Sequence, residues 1–511
     1  RCIGTIASFR LLGISWLDFT ITLKWRMFDS RRSQPRRLLV ALLAGTSALA
    51  SACVTPPPAP TVELEQVSGA FRTPTAPLAP LQADWWTGFD DPILTDLVEM
   101  ALRDSPTLTA SDAIIDQTEI LLRRARLAGS PATAAGASAQ VGRNPGRNQD
   151  VDLRGSASLS ASWEYDAFGR IAAQVQSATY DIESARQNRR DLATIIASET
   201  ALAYAELRGA QIRLGVAIDN ADAQAEGLEL IETLVDNGRS TMLDYERAAA
   251  QYHATLSTIP TFEATIASAL NRLSALTGRS ASDLNPLIAS ALVADIGVPT
   301  LEGPIAAGSI DDLMERRPDI RLAQADLASQ LALSEAARAR LFPTITINAS
   351  ASALLTEAAD VLRTTSLGFG IGPSISWEGP DLRRVYADID LSDARVDQLA
   401  AIYNQTVLDA LSEVESALSD YAKELERRDD LIAASAAAER ALELARLRFS
   451  EGLDDYLDVL DAQRTLLTTQ DQLASSRTET SRRAIRTYRA LGGIWTDDEL
   501  SVIRSASLIG N

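Results

Sequence analysis

The chain of 511 residues is long enough for three or four ordinary domains, but only 5% of its residues are aromatic and 46% are hydrophobic, mostly Ala and Leu. This composition favours closely packed helices over large globular cores. The formal net charge of −20 makes nucleic acid a poor partner. One His and two Cys exclude a His/Cys metal cluster and a Cys–His nucleophile pair, so no cofactor and no enzyme activity are predicted.

The N-terminal region has the features of a secretory signal. Residues 27–52 begin with Met27, continue with four arginines and end in an apolar run over 38–50, which at about 1.5 Å per residue spans about 20 Å and is too short to cross a membrane comfortably. Residues 1–26 are interpreted as upstream translation. The Pro-rich residues 53–61 read as a flexible tether.

The signal ends in Leu49-Ala50-Ser51-Ala52-Cys53, which resembles the lipobox of bacterial lipoproteins. The resemblance implies that Cys53 becomes the acylated first residue of the mature protein. The alternative is an ordinary cleavage after Ala-x-Ala, with Cys53 as a bystander.

Four segments alternate between apolar and small polar residues with a period of two, which predicts β-strands. They are residues 153–163, 344–353 and 366–377, with a weaker partner at 135–141. One apolar and one polar face are typical of a membrane β-barrel, and the alternative is a soluble sandwich with one wet face. Four strands cannot close a barrel, and an open sheet edge is not tolerated in lipid, so several chains must pool their strands.

Proline-free stretches predict two very long helices, at 171–235 and 382–449. The first ends at Asn237-Gly238, after which the chain returns from Thr241, and the second ends at Glu451-Gly452 with a return from Asp455. Pro260 is predicted to interrupt the first return helix.

The body of the chain reads as one unit written twice, because features recur in the same order at an offset of about 212 to 215 residues. Trp163-Glu164 corresponds to Trp377-Glu378, and Asn237-Gly238 corresponds to Glu451-Gly452. Each copy reads as helix, two strands, very long helix, tight turn and long helix, and a duplication is the simplest account.

Specific motifs resemble the TolC/OprM-type outer-membrane efflux factors of the lipoprotein branch. They are Trp86-x-x-Phe89-x-Asp91-Pro92-x-Leu94, Glu315-Arg316-Arg317-Pro318-Asp319-Ile320, Arg340-Leu341-Phe342-Pro343 and the two Gly-containing hairpins followed by Leu-Asp. The resemblance implies a homotrimer with a shared twelve-stranded transmembrane β-barrel, four strands per chain, continued by a periplasmic α-barrel of long helices with an equatorial collar. It also implies a lipid-anchored position in the outer membrane of a Gram-negative bacterium.

The family architecture implies a division of the chain into segments. The collar would comprise 62–104, 279–316 and 494–511, and the barrel hairpins 131–165 and 343–378. The α-barrel helices would comprise 105–130, 166–278, 317–342 and 379–493. The implied activity is passive conduction of drugs or other small molecules, with a periplasmic adaptor and an inner-membrane pump, usually of the resistance-nodulation-division class, as partners.

The resemblance also implies roles for individual residues. Adaptor-contacting tips would include Gly238, Arg239, Gly452 and Leu453, for which simple hairpin turns are the alternative. Asp458 and Asp461, three residues apart on one helix face, would form an acidic periplasmic gate, unless they are ordinary surface charges. Asp244 matches an acidic partner of the family's gate latch, whereas Phe449 and Asp454 stand where that latch has Tyr and Arg. Trp163 and Trp377 would belong to an aromatic girdle at the membrane surface, with core packing as the alternative.

Two competing functions remain open at this point. The first is an outer-membrane duct for type I protein secretion. The second is a lipid-anchored periplasmic coiled-coil scaffold that never spans a membrane, and the four alternating strands argue against it.

Overall fold

The computed structural model describes residues 57–60, 69, 71–73, 84–143, 151–293, 297–301, 303–355, 367–379 and 381–493. After a short 3-10 helix at Trp85–Phe89, the order of elements is α1 (Pro92–Asp104), α2 (Pro106–Leu127), β1 (Ala132–Arg143), β2 (Val151–Tyr165), α3 (Arg170–Asp236), α4 (Met242–Leu256), α5 (Ile259–Thr277), α6 (Ala281–Val293), α7 (Ile310–Arg316), α8 (Pro318–Ala339), β3 (Thr344–Leu355), β4 (Leu367–Ser376), α9 (Arg383–Ser450) and α10 (Tyr456–Ala490). This confirms the predicted mostly helical fold with a small β part.

The four strands form one antiparallel sheet in the order β1-β2-β3-β4. Cross-strand pairs keep the two faces separate: Leu159 lies opposite Ala351, which lies opposite Phe369, whereas Ser160 lies opposite Ser350 on the other face. The period-two prediction is therefore confirmed. β1 is longer than the predicted 135–141, because pairing with β2 orders residues whose own Ala/Gly pattern is weak.

The two long helices are α3, with 67 residues, and α9, with 68. At about 1.5 Å per residue each extends about 100 Å. Both end within one residue of the predicted position, at turns whose glycines, Gly238 and Gly452, adopt φ of +70° and +71°. Among the described residues, no helix combines the length and the apolar character needed to cross a membrane.

The return from the first hairpin is split between α4 and α5, as Pro260 predicted. Pro260 lies in the first turn of α5, where its missing N–H breaks no helical hydrogen bond. The return from the second hairpin, α10, contains no Pro and continues for 35 residues.

The largest buried core surrounds the Trp-Trp-x-x-Phe-x-Asp-Pro segment. The Trp85 ring stacks on Tyr488 of α10 with centroids 5.3 Å apart. Asp91 caps α1 by accepting from the amides of Ile93 and Leu94, and the buried Tyr204 hydroxyl of α3 donates to the same carboxylate at 3.4 Å. The segment thus ties α1 to α3 and α10. The collar residues 494–511 and most of 62–83 lie outside the described residues.

Candidate functional site

The first hairpin is closed by local capping. The Arg239 amide donates to the Leu234 carbonyl at 2.8 Å, which the left-handed conformation of Gly238 permits. Thr241 and Asp244 then form a reciprocal capping box at the start of α4. Arg239 is exposed at this tip.

The second hairpin has the same backbone turn and an added ion pair. The Leu453 amide donates to the Arg448 carbonyl at 2.9 Å, and the Leu453 side chain is 68% exposed. Arg448 Nη2 donates to Asp454 Oδ1 at 2.8 Å, which lowers the pKa of the Asp454 carboxyl and raises that of the guanidinium. Asp454 is therefore paired within its own hairpin.

The predicted gate residues lie at the start of α10. Asp458 is in the first turn, and Asp458 and Asp461 are both exposed. Asp461 lies 3.5 Å from Arg464 on the same helix, and both side chains are about 70% exposed, so this pair contributes little. Both carboxylates are therefore accessible at the surface of the single chain.

Asp244 is engaged within the first hairpin. Its carboxylate accepts from the Thr241 hydroxyl at 2.6 Å and from the Ser240 hydroxyl at 3.3 Å, and Arg247 lies 3.9 Å away. The hydrogen bond from Thr241 is the main cause that lowers the pKa of Asp244. The observed role of Asp244 is to cap α4.

The two hairpins are joined by a separate apolar cluster. Its buried members come from both hairpins and are Ile231, Ala248, Ala438, Leu442, Tyr456, Val459 and Leu466. Phe449 contacts the cluster edge-to-face on Tyr456, with ring centroids 5.2 Å apart. Sequence reasoning missed Tyr456, Arg448 and the nearby Gly227; the available signal was an isolated glycine inside a long helical pattern.

Both predicted girdle tryptophans are half-buried where helix meets strand. Trp163 Nε1 donates to the Gly129 carbonyl at 2.9 Å, and Trp377 Nε1 donates to the Leu341 carbonyl at 3.0 Å. Each indole is therefore held by the residues that follow the preceding helix, α2 or α8. Two aromatic rings lie near these contacts in the chain: Phe168, which follows Trp163 by five residues, stacks on Phe342, which follows Leu341, with ring centroids 4.7 Å apart.

Cys53 lies outside the described residues, but part of the Pro-rich tether is described. Arg338, 5% exposed near the end of α8, donates from Nη2 to the Pro58 carbonyl at 3.1 Å. The same Nη2 donates to Asp393 of α9 at 2.7 Å, which fixes the guanidinium. Pro58 is thus held close to the junction between helices and sheet.

Comparison with known proteins assigns the chain to a family. A profile described as "Outer membrane efflux protein" matches residues 97–279 and 309–493. The pyoverdine export outer membrane protein OpmQ of Pseudomonas aeruginosa is 29% identical over 446 residues, which cover 82% of this chain and 89% of that protein. The solvent efflux pump outer membrane protein SrpC of Pseudomonas putida is 27% identical over 454 residues, 82% of this chain and 94% of that protein.

A solved structure extends the similarity to three dimensions. The outer-membrane channel OprN is 32% identical, with a TM-score of 0.75, over 84% of this chain and 99% of that one. Because the family profile covers both halves and the fold matches an outer-membrane channel, the chain belongs to the outer membrane efflux protein family of TolC/OprM-type ducts.

Proposed function

We propose that three copies of this chain form the outer-membrane exit duct of a tripartite efflux system, which passively conducts small molecules received from an inner-membrane pump and a periplasmic adaptor. The pump is of the resistance-nodulation-division class. The names of the relatives, which refer to pyoverdine export and solvent efflux, support small molecules as the cargo.

The observation that carries this proposal is the sheet. Its two faces differ in polarity along all four strands, and Phe369 and Ile371 on the apolar face are 93% and 79% exposed. Within the described chain β1 and β4 are edge strands. Since unpaired backbone groups are costly in lipid, each edge requires a strand from another copy. Three copies supply about twelve strands, which is within the range of closed membrane barrels.

The remaining residues fit this arrangement. Trp163 and Trp377 lie where strands meet helices, which supports their assignment to the periplasmic aromatic girdle. The segments assigned to the collar (62–104, 279–316 and 494–511) would surround the helical part. Gly238, Arg239, Gly452 and Leu453 at the hairpin tips would contact the adaptor, and Asp458, Asp461 and Asp244 would belong to the periplasmic gate.

The lipid anchor is proposed at Cys53. Cys53 precedes Pro58 by five positions in the chain, and Arg338 near the end of α8 donates to the Pro58 carbonyl. Mass spectrometry of the mature N-terminus should find an acylated Cys53, and an unmodified N-terminus at another residue would reject the anchor.

The proposed duct is tested by reconstitution. The purified full chain should migrate as a trimer and carry a steady current in planar bilayers. A monomer that produces no current would support a periplasmic scaffold instead. Loss of small-molecule resistance in a strain that lacks this gene, with normal protein secretion, would separate efflux from type I secretion.

A further inference from the structure

Helix α3 contains three interior glycines, Gly209, Gly215 and Gly227. A glycine inside a helix is less favourable than Ala by about 0.5–1 kcal/mol, so a glycine at such a position suggests that close packing against a neighbour leaves no room for a side chain. An added Cβ would meet nothing within 4 Å at Gly215, but it would overlap side chains of α10 at Gly209 and Gly227. At Gly209 and at Gly227 the missing side chain therefore leaves a gap in the surface of α3, here called a notch, that a side chain of α10 fills.

The notch at Gly227, called the lower notch because it is nearer the hairpins, is filled by Tyr456. A Cβ on Gly227 would overlap the Tyr456 hydroxyl oxygen, whereas the ring carbon Cζ would lie 3.6 Å from it, an ordinary contact. Tyr456 is 7% exposed, and Phe449 packs edge-to-face on its ring. The hydroxyl therefore lies where any side chain at position 227 would have to go.

The upper notch, at Gly209, receives Thr478. Gly209 and Gly227 are about five turns apart at 3.6 residues per turn, so they lie on the same face of α3, about 27 Å from one another. Near the upper notch, Arg213 also donates to Asp471 of α10 at 2.7 Å. The packing of Thr478 on Gly209 and the ion pair of Arg213 with Asp471 thus both connect α3 to α10 in the part of the seam farther from the hairpins.

The seam between the notches carries many polar side chains. It contains a cavity of about 220 Å³ whose lining includes Asn220, Gln224, Gln463 and Gln470. Gln224 and Gln463 are 5% and 6% exposed, and within the described chain both amide atoms of Gln224 and the Gln463 oxygen lack a protein hydrogen-bond partner. Across this stretch Asn220 Nδ2 donates to Gln470 Oε1 at 3.1 Å, so the attachment between α3 and α10 here is polar, whereas the hairpins themselves meet through the apolar cluster around Tyr456.

We propose that Tyr456, seated in the Gly227 notch, is the positioning residue that holds the second hairpin against the first in the closed gate. Tyr456 is the first residue of α10 and lies two residues before Asp458. A shift of its ring therefore displaces the start of the helix that carries both gate carboxylates. Because the middle of the seam is polar, the hairpin position depends on the apolar cluster around this ring. This inference rests on the proposed duct and its gate.

The test is a mutant cycle on purified trimers in planar bilayers, with open probability as the readout. Gly227→Ala should raise the open probability about tenfold, the effect of about 1.4 kcal/mol on a two-state equilibrium, because the new Cβ displaces the Tyr456 hydroxyl. Tyr456→Phe alone keeps the ring and should resemble the parent. The double variant Gly227→Ala with Tyr456→Phe should return close to the parent, since Phe lacks the overlapping oxygen.

Gly215→Ala is the matched control, because it makes the same substitution in the same helix at an open position. It should leave the open probability unchanged. Since Ala favours the helix over Gly, a raised open probability in Gly227→Ala cannot come from a weakened α3. If Gly227→Ala behaves as the parent does, or if Tyr456→Phe fails to rescue it, the notch does not position the gate.

Tyr456→Ala removes the ring without adding atoms and should also raise the open probability. If Gly227→Ala yields no trimers, Tyr456→Ala decides the outcome alone, and a parent-like open probability rejects the inference. A parent protein that carries no current contradicts the duct itself. A conducting parent with an unaffected notch variant contradicts only the role of Tyr456.

Discussion

Asp458 and Asp461 are the residues on which the gate proposal is most directly testable. In a trimer they would place about six carboxylates around one axis, where they repel one another and attract cations. A divalent or trivalent cation on the periplasmic side should therefore block the current, and Asp458→Ala with Asp461→Ala should abolish the block. Asp429→Ala with Asp430→Ala, exposed on α9 far from the hairpins, is the control. Equal block in the gate variant would make these two aspartates ordinary surface charges.

Asp244 links pH to the stability of the first hairpin. Its pKa is lowered from the usual 3.8, chiefly by the hydrogen bond from Thr241. A lowered pKa in the folded state stabilises the hairpin above the ordinary Asp pKa, and this contribution is lost as the pH falls through the folded value.

Asp244→Ala should therefore destabilise the start of α4 by about 0.5–1 kcal/mol at neutral pH, a typical cost of a lost cap. Faster tryptic cleavage at the exposed Arg239 would measure this effect, with Glu246→Ala as a control on the same helix. The difference between variant and parent in hydrogen exchange at the hairpin should vanish as the pH falls through the lowered pKa of Asp244, because both proteins then lack the charged cap. A difference that persists in acid would contradict the assignment.

The second hairpin depends on the left-handed backbone conformation of Gly452 and is also a proposed contact site for the adaptor. Gly452 has a φ of +71°, and an added Cβ would meet nothing within 4 Å, so a substitution acts through backbone strain and through a protruding side chain. Gly452→Val should cost about 1–2 kcal/mol locally and reduce export while trimers still assemble. Drug susceptibility and trimer content would be measured on the same cells.

Gly452→Asn is the matched variant, because Asn tolerates the left-handed conformation far better than a β-branched residue. It should retain most of the export activity. Full resistance with Gly452→Val would remove the hairpin from the proposed adaptor contact, whereas equal loss in both variants would point to the side chain rather than to the turn.

For the whole assembly, the two faces of the sheet should respond oppositely to charge. Phe369→Arg places a cation on the face assigned to lipid and should cost about 2–4 kcal/mol per chain, which should reduce the amount of trimer in the outer membrane. Ser350→Arg lies on the opposite face, across from Gly370, and should assemble normally while altering conductance. Equal amounts of both variants in the outer membrane, measured by membrane fractionation, would contradict a barrel formed from the strands of several copies.

Local patterns were sufficient for most of the architecture. The alternation around Leu159 and Phe369 predicted the strands, because side chains of a strand point to alternate faces whatever its partner. The absence of Pro and the positions of Gly238 and Gly452 predicted the long helices and their ends, since these depend on backbone preferences within a few residues. Pro260 predicted the break between α4 and α5 for the same reason.

Contacts between distant segments could not be obtained in this way. The seat of Tyr456 against Gly227 joins residues more than two hundred positions apart, and so does the bond from Arg338 to Pro58. The pairing of Asp454 with Arg448 depends on the path of the turn between them. A sequence pattern records the face on which a residue lies, but the partner on that face is chosen when helices about 100 Å long pack together, and small differences in register decide which side chains meet.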